Sequence, residues 1–259
     1  MHEIASPTVP RAGAALLAVL WLLATPAGAK CSPAPDGTFD VSPIEHATFV
    51  LTSGECTLVF DPAGGAERFT GVRTPDLILV TDIHGDHLDA ETLTALAGPQ
   101  TAVIAPSAVA ERLGEAVPPG LRVLANGERV TIGAVDVEAI PMYNLTEGRL
   151  DKHPKGRGNG YVVTLGGRRV YVSGDTEDIP EMRSLEDIDA AFVCMNLPYT
   201  MDVDAAADAV LEMKPRVVYP YHYRGQGGLS DVGRFAELVA ADPEIEVRQL
   251  DWYPSSGND

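Results

Sequence analysis

The segment "VTDIHGDHLD", Val80 to Asp89, follows the apolar run "DLILV" without a break, and this placement constrains the chain more than any other feature. A short run with no polar alternation reads as a strand buried on both faces. The turn after it carries Asp82, His84, Asp86 and His87, in a chain that has only 6 histidines. Ligands in α/β sheets bind at the carboxyl ends of strands. A tight turn at that end would aim alternate side chains at one point, with Asp82 and His84 toward one cation and Asp86 and His87 toward another. Gly85 is expected to supply an unusual backbone conformation within it. The alternative, capping aspartates beside exposed turn histidines, suits a lone pair of histidines better than this interleaved set.

The chain has 259 residues, 45% of them hydrophobic, enough to bury one large core. Residues 1–29 are set apart. Arg11 precedes "AGAALLAVLWLLA", which is short for a membrane span, and Ala27 and Ala29 form a small-x-small ending. This predicts a signal peptide, a single domain over 30–259, export to the periplasm or medium, and no stable membrane insertion of the mature chain. A net charge of −18 disfavours nucleic-acid partners. Of the 3 cysteines, Cys194 sits in an apolar run and is expected as a buried thiol, while a Cys31–Cys56 bridge is left open.

Along the chain, 38–61 reads as two β-rich runs, and "DAETLTALAG" as a helix with Asp89 as N-cap and Gly98 as its stop. A further strand and helix follow, then short strands over 121–140 and a hairpin around Gly166-Gly167. "DIDAAFVCMN" and "RVVYPYH" read as strands, each followed by a helix. Two groups of strands with accompanying helices predict an α/β (α+β) arrangement, sheets inside and helices outside.

Further polar groups fall at comparable strand ends. Asp175 closes "RRVYVSGD", His222 closes "RVVYPYH", and His153 lies in the loop "NLTEGRLDKHPKGRGNG". His46 begins a strand and is read as a core or supporting residue. "TDIHGDH", with "SGDT" and "YPYHY" at later stations, resembles the H-x-H-x-D-H signature of the metallo-β-lactamase superfamily. "HATFVL", "LVFDP" and "LILVTDIHGDHLD" are similar to its branch of ascorbate-6-phosphate lactonases and N-acyl-phosphatidylethanolamine phospholipases.

The resemblance implies an αββα sandwich with two divalent metal ions at one edge. His84 would bind the first ion, Asp86, His87 and His222 the second, and Asp175 would bridge them. Two departures stand out. Asn144 occupies the usual place of a third histidine, and His153 is expected to replace it. Asp82 stands where the family has histidine. With Asp82, Asp86, Asp175 and one hydroxide against two dications, the inner shell would be neutral, and manganese or iron becomes more plausible beside zinc. Lys155 and Arg157 flank glycines beside His153, and with Arg224 they could restore positive charge and hold an anionic group. Tyr223 could donate a hydrogen bond.

The function this implies is attack by a metal-bridged hydroxide on the carbonyl of a small ester, lactone or amide, with Asp86 and Asp175 central. A phosphodiesterase of the phospholipase type, or a non-catalytic metal-binding member, are the alternatives. Oligomeric state is not legible.

Overall fold

The structure is a computed structural model that describes residues 31–253. The predicted signal peptide therefore lies outside the described residues. One sheet holds six strands in chain order: β1 (Asp40–Glu45), β2 (Thr48–Ser53), β3 (Cys56–Phe60), β4 (Leu77–Leu79), β5 (Ala102–Ala105) and β6 (Leu121–Val123). The region read as two β-rich runs is thus three strands, folded as a meander. From β3 onward neighbours are parallel.

The second sheet contains β7 (Arg129–Ile132), β8 (Val135–Met142), β9 (Gly158–Leu165), β10 (Arg168–Val172), β11 (Ala190–Val193) and β12 (Val217–Pro220). The small ribbon β13 (Arg224–Gly225) and β14 (Gly228–Leu229) intervenes before β15 (Glu246–Val247), which completes this sheet in the order β15-β12-β11-β10-β9-β8-β7. The predicted hairpin is present, with Leu165 opposite Arg168 across Gly166-Gly167. Because β9 is antiparallel to both β8 and β10, while β10, β11 and β12 are parallel, β8, β10 and β12 end on the same edge.

Period-2 alternation explains the layering. In β4, Leu77 and Leu79 face the core between the sheets, while Ile78 and the following Val80 face outward. Helices α1 (Ala90–Leu96) and α2 (Ser107–Leu113) cover that outer face through Leu93 and Val109. Of α3 (Pro180–Arg183), α4 (Val203–Met213) and α5 (Val232–Val239), the last two bury Ala206, Val210, Phe235 and Val239 against the other sheet. The result is the expected αββα sandwich. Phe49, Phe60 and Phe192 stack through its centre with centroids 4.5 Å apart.

Asp89 caps α1 as expected, accepting from the N–H groups of Glu91 and Thr92, although the helix closes at Ala97, one residue before Gly98. Cys31 and Cys56 are disulfide-bonded, tying the first described residue to the start of β3. Cys194 is a buried free thiol, as read from its apolar run.

Candidate metal centre

The carboxyl ends of β3, β4, β8, β10 and β12 converge on one edge, and the predicted residues meet there. The turn after β4 is closed by the His84 carbonyl, which accepts from the N–H groups of His87 and Leu88. Gly85 does not have the expected role. Its φ is not positive, and a Cβ there would meet nothing within 4 Å. The glycine this edge requires is Gly174, at φ 60°, where a Cβ would lie 2.4 Å from the sulfur of Met142. Strain is concentrated here in other residues too: His46, Asp61 and His222 adopt φ of 58°, 47° and 47°.

Asp175 sits at the middle of the cluster. Its Oδ2 is 3.1 Å from His153 Nε2 and 3.3 Å from His87 Nε2, and its Oδ1 is 3.1 Å from His222 Nε2. Asp86 Oδ2 lies 3.5 Å from His222 Nε2. Three groups of donor atoms each fall within 4.8 Å: Asp82, His84 and His153 on one side, His87, Asp175 and His222 on the other, and His46 with Asp86 and His222.

His153, not Asn144, joins this cluster. The Asn144 amide instead donates to the carbonyls of Arg149 and Tyr199, holding the loop that delivers His153. His153 Nδ1 lies 3.2 Å from the Tyr199 carbonyl, so the proton belongs on Nδ1 and Nε2 presents its lone pair to the cluster. That Nε2 and Asp175 Oδ1 are both buried without a hydrogen-bond partner.

His87 is oriented by a residue that the sequence reading passed over. Asp61, at the end of β3, places Oδ2 2.9 Å from His87 Nδ1 and accepts from the N–H and hydroxyl of Thr81. His87 Nε2 is thereby turned toward His222 Nε2, 3.1 Å away. The cue was available: Asp61 ends an apolar strand, as Asp175 does.

Burial favours neutral His87, but Asp175, Asp61 and Asp86 outweigh it and raise its pKa well above 6.5. Burial likewise opposes ionised Asp175, yet His222, His87 and His153 hold it well below the ordinary carboxylate range. His222 is pushed down to about 3 by burial, so it stays neutral near pH 7. Bare imidazole nitrogens facing an ionised carboxylate in a dry site call for a cation, and the donor set fits divalent metal.

Asp82 departs from the neutral inner shell expected for it. Arg157 grips it with a two-pronged contact, Nε to Oδ1 at 3.0 Å and Nη2 to Oδ2 at 2.8 Å. The pair is neutral, so the cluster regains the positive charge that an aspartate removes. Arg157 does this without lining the cleft.

Lys155 likewise turns away, bonding Glu181 at 2.8 Å and the Tyr143 hydroxyl at 3.2 Å. Tyr223 is buried against the ring of Tyr253 and does not line the cleft. Arg224 does line it, with Nη2 on Glu45. His46 lies in the turn between β1 and β2, two residues before the strand it was expected to begin. Its Nε2 is 3.4 Å from Asp86 and its Nδ1 2.7 Å from the Tyr253 hydroxyl. These groups open on a cleft of about 620 Å³, bordered also by Lys152 and Tyr199.

A four-layer sandwich with a His/Asp cluster able to hold metal at one edge fits the class of metal-dependent hydrolases. The family profile described as beta-lactamase superfamily domain matches residues 40–222. The chain belongs to the metallo-β-lactamase superfamily. A UPF0173 metal-dependent hydrolase of Pyrococcus abyssi is 30% identical over 216 residues, covering 78% of this chain and 92% of that protein. One from Anaeromyxobacter is 32% identical over 272 residues, covering 95% and 97%. Among solved structures, a candidate metal-dependent hydrolase from Parabacteroides distasonis is 38% identical with a TM-score of 0.75, covering 83% of this chain and 94% of that one.

Proposed function

We propose that this metal-dependent hydrolase holds two divalent ions, zinc being the best match to its imidazole donors, and cleaves a small ester, lactone or amide. The observation that carries the reading is Asp175, which lies 3.1 Å from His153 of one donor group and 3.3 and 3.1 Å from His87 and His222 of the other. One carboxylate at the join of two donor sets is what a bridging ligand requires. When bound, such ions polarise a carbonyl and acidify water.

The chain supplies the rest. Asp61 and the Tyr199 carbonyl fix the tautomers of His87 and His153, so their Nε2 atoms need no reorganisation. The cleft volume suits a small molecule. His46, between Asp86 and Tyr253, and Lys152 both line the cleft and would contact a bound substrate.

Export of a single domain beginning near residue 30 belongs to the same reading. The Cys31–Cys56 bridge supports it, since such bridges persist in oxidising compartments. No helix among the described residues is long and apolar enough to cross a membrane.

The test is a panel of p-nitrophenyl esters, lactones and bis-p-nitrophenyl phosphate, run on zinc-loaded and chelator-stripped protein. Metal-dependent turnover of an ester or lactone supports the carbonyl reading. Turnover confined to the phosphodiester contradicts it.

A further inference from the structure

The two halves of the cluster are not equally prepared for a cation. Around His222 no arginine or lysine ties up the donors: Asp175 Oδ1 is without a hydrogen-bond partner, and His87 Nε2 faces His222 Nε2 at 3.1 Å. Around His84 the atoms already satisfy one another. Both oxygens of the fully buried Asp82 accept from Arg157, and Asp82 Oδ2 is also 2.9 Å from His84 Nδ1. Arg157 Nη2 approaches the other ring nitrogen of His84 at 3.5 Å and also bonds the Lys152 carbonyl. A closed network of arginine, aspartate and histidine thus occupies the donors that the first ion would use, leaving only His153 Nε2 free on that side.

We propose that Arg157 imposes an order of loading, in which the ion held by Asp86, His87, Asp175 and His222 binds first and tightly. The ion at Asp82, His84 and His153 binds second and more weakly, against the guanidinium. This rests on the two-ion reading above.

Two effects compete. A neutral outer partner usually strengthens a ligand by orienting it, and its loss costs about 10–100-fold in metal affinity. Arg157 orients Asp82 as well, but it is itself a cation drawn to the same carboxylate. At the short separations here, repulsion between a unit charge and a dication exceeds the orienting gain, because the surroundings are buried and screen poorly. The guanidinium cannot give up its proton to relieve this. The first half therefore fills only when metal is plentiful, and the second half holds its ion at low supply.

The experiment titrates chelator-stripped protein with Zn²⁺ against a competing fluorescent chelator, for the wild type, Arg157→Gln and Arg157→Lys. The wild type is expected to bind two ions with well-separated constants. In Arg157→Gln the weaker ion should tighten by about tenfold or more while the tighter is unchanged. Arg157→Lys, which keeps the charge but not the fork, should tighten less. If Arg157→Gln fails to fold, Arg157→Lys alone still decides the sign.

A weaker or unchanged second ion in the variants overturns the loading order. A single ion in the wild type and in both variants instead overturns the two-ion reading on which it rests.

Discussion

Asp61 Oδ2 lies 2.9 Å from Nδ1 of His87, and both side chains are fully inaccessible to solvent. The contact holds a proton on Nδ1, and so turns Nε2 toward the cluster. It also ties two strand ends together, since Asp61 follows β3 while His87 follows β4, and the pairing of those strands sets the contact.

Replacing Asp61 with alanine should therefore weaken metal binding by about 10–100-fold without touching a ligand. It also leaves the Thr81 N–H and hydroxyl without their acceptor. Competition titration with Zn²⁺ on Asp61→Ala and wild type measures the change. Asp61→Asn, which keeps an acceptor oxygen, should recover part of it.

Metal affinity should depend on pH through His87. In the metal-free protein its pKa is raised above the ordinary 6.5 by the carboxylates around it. That bound proton stabilises the metal-free fold fully below 6.5, and the stabilisation is lost as pH rises through the raised value. An incoming ion must displace the proton, so log affinity should rise with a slope of about one per pH unit until His87 is deprotonated. Calorimetric titration in buffers of different ionisation enthalpy counts the released proton. Melting temperature of stripped protein should fall over the same window.

The roles of Asn144 and His153 separate cleanly. His153→Ala should remove the weaker ion. Asn144→Ala should leave metal content intact and cost about 1–3 kcal/mol in stability, because the Arg149 and Tyr199 carbonyls lose their donor. Elemental analysis beside a denaturant melt distinguishes the two.

Much of this was legible in the chain. "DLILV" ends at the metal edge because a strand buried on both faces must leave its polar groups for the turn, and the chain places Asp82, His84, Asp86 and His87 there. His222 and Asp175 were found by the same cue. Asp61 follows that cue too, but its partner is 26 residues away and its role depends on strand pairing, which residue patterns do not reveal. The pairing of Arg157 with Asp82 spans 75 residues, so only the shared need for charge hinted at it. Lys155 carried the same hint, and its attachment to Glu181 shows that charge alone does not fix direction.

The Cys31–Cys56 bridge closes a loop with a sequence separation of 25. Its reduction should lower stability by roughly 3 kcal/mol through the greater freedom of the unfolded chain. Melting with and without reductant measures this, and Cys31→Ser should reproduce the reduced value.

Asp175 is the proposed join between two metal-binding halves. The most direct test is the number of zinc ions per chain, by elemental analysis after zinc loading and gel filtration, in wild type and Asp175→Ala. Two are expected in the wild type and at most one, weakly held, in the variant. Two ions surviving the loss of Asp175, or none in the wild type, would contradict it.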